Sequence, residues 1–285
     1  MAVTSTTIQL TPTTLVQQPL GLLTPSGVTV AVLETTSDGY RVVTPCGNEA
    51  SVTTGTPLGP VDVVIDPGHG GPIDTGAVAP TGLVERDLNL SLARLTERRL
   101  RARGFSVAMT RNADYATPLE VRAHLADKLE ARIMVSIHHN APTPAPSDTP
   151  GVEVFVQDGS DASQRLGGLL WDHTMEALGD FDIAWSAASD AGVMTVLNSR
   201  GSDAYGILRR PTTPTALLEL GYLSNRAEAE LFATSAYVVT ASVAIADAVE
   251  AYLTTEDVGA SLVEGRVFDP NPGVGRDVCV EPDLG

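Results

Sequence analysis

Lysine is almost missing from this 285-residue chain: Lys128 is the single one among 18 basic residues, and 35 acidic residues leave a formal charge of −17. The shortage of lysine reads as genome base composition rather than function, but the charge has a consequence. A strongly acidic surface disfavours nucleic acid and any other anionic polymer held by bulk electrostatics, so no nucleic-acid partner is expected. Nor does any stretch approach the roughly 18 consecutive apolar residues of a membrane helix, and no membrane insertion is expected. The start, Met1 to Thr6, lacks the basic segment and the apolar core of a signal peptide. Cysteine is scarce as well: Cys46 and Cys279 form no CxxC or CxxH motif and so have no metal role. What the chain does have is 43% hydrophobic residues, ample for a substantial core.

Residues 61–71, VDVVIDPGHGG, are the most informative stretch. Val61, Val63, Val64 and Ile65 make the apolar run of a strand buried on both faces, which Asp66-Pro67-Gly68 stops with turn chemistry. His69 therefore sits at a strand's carboxyl end, the edge where open α/β sheets bind ligands, and its flanking glycines let another group approach the backbone. Arg132 to Ala141, RIMVSIHHNA, ends the same way in His138, His139 and Asn140. If the two strands are parallel, imidazoles converge on one rim. Glu85 opens a helix after a Gly-rich turn, and Glu219 ends the apolar run Thr215 to Leu218. Two imidazoles, one carboxylate ligand and one carboxylate left over compose a catalytic zinc site with an open fourth position. Neighbouring strand residues point to opposite faces, so only one of His138 and His139 can ligate, and the residues alone leave that choice open. Blander roles exist for both carboxylates: Glu85 would offset a helix dipole, and Glu219 would hold Arg209 or Arg210.

DPGHGG with GLVERDLNL, then SIHHNA, then LLELGYLSN, in that order, resembles the zinc-dependent N-acetylmuramoyl-L-alanine amidases of the type 3 family over roughly residues 61–253. The resemblance implies hydrolysis of the amide between the peptidoglycan glycan and its stem peptide. It further implies one zinc ion per chain, bound by His69, Glu85 and His138, with Glu219 as the catalytic carboxylate. It selects His138 over His139, although this family often carries a small residue where His139 stands. The expected partner is peptidoglycan or muropeptide and the expected state a monomer. An extracytoplasmic location follows, reconciled with the missing signal peptide if Met1 was added to a mature protein whose leader is absent. Cys46 and Cys279, one on each side of the match, are then expected to form a disulfide joining the extensions. Two other functions remain: a zinc peptidase cutting within the stem peptide, and an inactive wall-binding module, against which the intact Glu219 and full ligand set speak.

Along the chain, residues 1–27 read as an extended or disordered arm. Residues 28–60 form a β-rich extension built on a hairpin at Asp38-Gly39, faintly like bacterial SH3-type wall binders. Residues 61–253 make the catalytic domain and residues 254–285 an acidic tail running over the surface. The core alternates strand and helix: helices over Arg86–Arg103, Leu119–Arg132 and 161–178, strands over Phe105–Arg111, Ile133–His138, Val152–Val156, Tyr205–Leu208 and Thr215–Leu220, and closing helices over Ala227–Leu253. The fold class is α/β, a mostly parallel central sheet of about six strands flanked by helices, with the N-terminal hairpin as an extension. His124 and His173 fall on helices and are not candidate ligands. The Pro-rich connection after His138 has no room for a helix that could cover the zinc, so an open, constitutively active site is expected. The exception would be a lid formed by residues 179–202, next to Trp171 and Trp185.

Overall fold

The alternating pattern on both sides of Asp38-Gly39 produces more than one hairpin. Five short strands, β1 (Gly21–Leu23), β2 (Thr29–Thr36), β3 (Gly39–Val43), β4 (Glu49–Val52) and β5 (Thr56–Leu58), form an antiparallel sheet in the order β4-β3-β2-β1-β5. The expected hairpin joins β2 and β3, with its two turn residues at Ser37 and Asp38, one position before Asp38-Gly39, and Gly39, the first residue of β3, sits at φ +143, where an added Cβ would lie 2.3 Å from the Val52 carbonyl. Gly21–Leu23 corrects the expectation of an arm through residue 27: Leu22 is fully buried against Val30, Val32, Val42 and Val52. The structure is a computed structural model that describes residues 18–142, 146–187, 189, 191–270, 275 and 278–285, so the rest of the expected arm, residues 1–17, lies outside it.

The second sheet follows from the apolar runs. Strand β6 (Val63–Pro67) leads into α1 (Glu85–Ala102), β7 (Val107–Met109), α2 (Leu119–Lys128), β8 (Ile133–Asn140), β9 (Glu153–Val156) and α3 (Asp161–Gly179). Then come β10 (Gly192–Met194), β11 (Val196–Leu197), α4 (Gly206–Arg209), β12 (Thr215–Tyr222), α5 (Arg226–Phe232), α6 (Ser235–Thr254) and β13 (Arg266–Val267). Six strands order as β10-β9-β12-β8-β6-β7, every pair parallel except β9 with β12. This is the expected mostly parallel α/β sheet, with the carboxyl ends of β6, β7, β8 and β12 on one rim and those of β9 and β10 on the other.

Both faces are covered, which explains the unbroken apolar strands. Val135, Ile137, Val154 and Leu218 face a core shared with α1, α3 and α6, whereas Met134, Phe155 and Leu217 face α2, α4 and the small N-terminal sheet. Helix α6 is long and apolar enough to cross a membrane by length and composition, a feature that counting uninterrupted apolar runs does not register. Here its Tyr237, Ala241, Ile245 and Val249 are buried in that core with α1 and α3.

Three segments depart from expectation. Tyr205–Leu208, expected as a strand, is the single helical turn α4; a four-residue apolar run carries no period to tell strand from helix. Gly206 lets that turn press on α2, since a Cβ there would lie 2.9 Å from Leu119. Residues 179–202, unplaced by periodicity and named as the one place for a lid, include β10 and β11 and bury Trp185 in the core. The tail after residue 254 is mostly exposed, yet it pairs β13 with β11 and ends on the N-terminal sheet. There Cys279 is bonded to Cys46, and Glu281 accepts hydrogen bonds from the Thr44 hydroxyl, the Cys46 amide (3.3 Å) and Asn48 (2.7 Å). The expected disulfide is therefore present.

Candidate metal centre and active site

Two buried arginines shape the loop that carries His69. Its backbone is left-handed, φ +63, a region that non-glycine residues rarely adopt. Arg111 donates to the carbonyls of Pro67 (3.0 Å) and Gly68 (2.9 Å), and Arg122 to those of Pro67 and His69 (both 2.8 Å), so four hydrogen bonds to consecutive carbonyls hold the strained turn. Arg122 also pairs with Asp66 at 2.7 Å, which accepts from Thr110 and Ser136. Burial opposes ionisation of Asp66, but Arg122 and the two hydroxyls outweigh it and hold its carboxyl below the ordinary range.

Parallel pairing of β6 with β8 sets Pro67 beside Ile137, and so brings the two histidine-bearing strand ends together. The imidazoles of His69 and His138 lie edge to face, 4.9 Å apart. Glu85, first residue of α1, meets both through one oxygen: Oε1 is 3.2 Å from His69 Nε2 and 3.1 Å from His138 Nδ1. The three candidate ligand atoms lie within 4.8 Å of one another, the one such group among the described residues. Around them, Glu85 accepts from the Ala77 amide (2.8 Å), Asn89 (3.2 Å) and the His139 amide (3.2 Å), and His69 Nδ1 contacts Asp74 at 2.6 Å. Burial makes His69 harder to protonate, yet the hydrogen bonds with Asp74 and Glu85 prevail and raise its pKa to about 10. Burial likewise opposes a charged Glu85, and the two histidines overcome it. A cluster that holds positive charge so firmly suits a cation, and its N,N,O donors suit zinc.

His139 has the opposite fate. It points to the other face of β8, buried, with Nδ1 2.7 Å from Asn89 Oδ1, Nε2 2.7 Å from the Tyr237 hydroxyl, and its ring against Phe232. Burial first, then His138, lower its pKa to about 3. Strand alternation alone produces this split between adjacent histidines.

Glu219 lies on the central strand β12, in register with His138 on one side and Glu153 on the other. Its Oε2 is buried with no hydrogen-bond partner among the described residues. Burial, then the charges of Glu85 and Glu153, push its carboxyl well above the usual range. Neither Arg209 nor Arg210 pairs with it; Arg209 donates instead to the carbonyls of Asp203 and Ala204. Glu153 is held by Asn140, by the Tyr222 hydroxyl (3.2 Å) and by Arg266 (2.5 Å).

These groups line a cleft of about 520 Å³, in which His69, Glu85, His138 and Glu219 are joined by Tyr205, Ile207, Leu119, Phe268 and Pro270. Asp74, Glu153, Arg266 and Phe268 escaped sequence reading. Glu153 left a trace, a carboxylate alternating with core residues in Val152–Val156. Arg266 and Phe268 left none, because their place depends on the path of the tail. His124 and His173 stand outside the cluster, Trp185 is core, and Trp171 donates to the Val152 carbonyl at 3.2 Å.

Comparison with known proteins agrees with this geometry. The family described as N-acetylmuramoyl-L-alanine amidase matches residues 63–251. The amidase AmiC of Neisseria meningitidis serogroup B is 30% identical over 220 residues, 68% of this chain and 53% of that protein. AmiA of Escherichia coli K12 is 28% identical over 223 residues, 67% of this chain and 75% of its own length. The solved structure of amidase AmiC2 of Nostoc punctiforme superposes with a TM-score of 0.57 at 29% identity, covering 69% of this chain and 98% of that one. The chain thus spans about half the length of the Neisseria relative. With the match running over the two histidine-bearing strands, the helix that begins at Glu85 and the strand of Glu219, the chain belongs to the N-acetylmuramoyl-L-alanine amidase family.

Proposed function

We propose that the protein hydrolyses the amide between N-acetylmuramic acid and L-alanine of the peptidoglycan stem, with one zinc ion held by His69, Glu85 and His138 and with Glu219 as the proton carrier. The observation that carries the reading is the unpartnered, buried Oε2 of Glu219 beside a convergent His, Glu, His cluster. Zinc, when bound, polarises the scissile carbonyl and acidifies water. The chain does the rest. Asp74 on Nδ1 of His69 fixes the tautomer that presents Nε2 to the centre, and Asn89, touching both Glu85 and His139, ties the carboxylate ligand to the core. Glu219 accepts a proton from the attacking water and returns it to the departing nitrogen, a task that suits a carboxyl whose pKa is lifted by burial. The loop arginines Arg111 and Arg122 keep His69 in place through the carbonyls of Pro67, Gly68 and His69.

An extracytoplasmic location accords with this substrate and with the Cys46–Cys279 disulfide. The test is product mass spectrometry on a muramoyl peptide incubated with the zinc-loaded chain. Release of intact stem peptide with a free L-alanine amine supports the reading. Cuts between stem residues would make the protein a zinc peptidase, and no product at all would leave a binding module.

A further inference from the structure

The cleft that holds Glu219 is lined partly by a segment outside the family match, which ends at residue 251. The tail pairs in parallel with β11 there as β13, with Arg266 N on the Thr195 carbonyl (3.0 Å), Phe268 N on the Leu197 carbonyl (2.8 Å) and the Arg266 guanidinium on Glu153 (2.5 Å). This fixes Phe268 at the mouth of the cleft while half of its surface, 50%, stays in solvent. Behind it runs a column of rings: Phe268 lies 6.2 Å from Tyr205, which stacks on Phe155 at 5.1 Å with planes 8° apart. Phe155 is buried, so the column leads from the core to an exposed aromatic rim beside the reaction centre. An exposed ring pinned in this way is a binding surface in form.

The chemistry of this lining selects its ligand. Tyr205, Ile207, Leu119, Pro270 and Phe268 carry no charge. Two cations at the cleft are committed: every guanidinium nitrogen of Arg122 donates to Thr117, Asp66, Pro67 or His69, and Arg266 is paired with Glu153. A stem peptide carries free carboxylates, which the uncharged side chains of Tyr205, Ile207, Leu119, Pro270 and Phe268 cannot neutralise. A neutral N-acetylated sugar offers an apolar ring face and methyl groups that pack on aromatic rings. We propose that Phe268, backed by Tyr205, is a specificity-determining residue that binds the glycan strand of the substrate, so that the tail gives this amidase a preference for glycan-extended muropeptide. The inference rests on the amidase reading.

The experiment compares two soluble substrates with the same stem peptide, one on a single N-acetylmuramic acid and one on a longer N-acetylated glycan. Wild-type protein is expected to show a lower KM for the longer glycan. Phe268→Ala should raise that KM about tenfold, the scale of one lost ring contact, with kcat and the single-sugar KM close to wild type; Phe268→Tyr should restore it. Equal effects of Phe268→Ala on both substrates, or no effect on either, would overturn the proposal while leaving the amidase reading intact. Failure of wild-type protein to cleave either substrate would instead overturn the reading on which it rests. Because Phe268 is half exposed, an unchanged melting temperature of the variant is expected and shows that the fold is retained.

Discussion

At the scale of single residues, the site trades stability for chemistry. Glu219 is an acid whose folded-state pKa lies above its unfolded value, so folding favours its protonated form. The metal-free chain therefore loses stability as pH rises from the unfolded value near 4.5 toward the folded one, and the deficit persists at neutral pH. Glu219→Gln removes it. That variant should melt higher than wild type when both are metal-free at pH 7, by at least about 1 kcal/mol or roughly 2–4 °C, and the difference should vanish in scans near pH 4; a lower melting point at pH 7 would contradict the strained-carboxyl account. Close packing around the ligands makes a second prediction. A Cβ at Gly68 would lie 2.2 Å from the His138 ring. Gly68→Ala should accordingly push His138 aside and weaken zinc binding at least about tenfold, measured by competition with a chelating indicator, and unchanged affinity would show that the ring position does not matter. The sequence disclosed both histidine-bearing strand ends but not the choice within His138-His139. Alternation guaranteed that the two part company; which face holds the site is set by both layers that cover the sheet, and a single strand cannot show that.

At the scale of elements, long periodic segments were legible and short ones were not. Helices α1, α2 and α3 and strands β6, β8, β9 and β12 were visible because apolar period and turn chemistry agree over many residues. The turn α4, the short strands β10, β11 and β13 and the course of the tail were not, since two to four residues have no period and their placement is tertiary. The possible lid was placed in residues 179–202, whereas the tail residues that line the cleft are Phe268 and Pro270. Farther along the tail, Cys46–Cys279 spans 233 residues and encloses the catalytic sheet. In the chain-entropy description such a link contributes at most about 5 kcal/mol. Thiol titration of the unreduced, denatured protein should find no reactive cysteine. Reduction should lower the denaturant midpoint, and an unchanged midpoint would show that the tail is not anchored through this bond.

At the scale of the whole molecule, the cleft lies on the carboxyl rim of a mostly parallel sheet, and no helix covers it among the described residues that follow His138. Residues 143–145 lie outside the described chain. The isolated protein should therefore turn over soluble muropeptide without an added activator; activity that appears only with a partner protein would contradict an open site. The central claim is a division of labour, metal binding by His69, Glu85 and His138 and proton transfer by Glu219. One measurement separates the two most directly: bound zinc per chain and turnover of muramoyl peptide, determined side by side for wild type and Glu219→Gln. The account predicts close to one zinc per chain in both and hydrolysis at least about 100-fold slower in the variant. Loss of zinc from Glu219→Gln, or turnover near the wild-type rate, would contradict it.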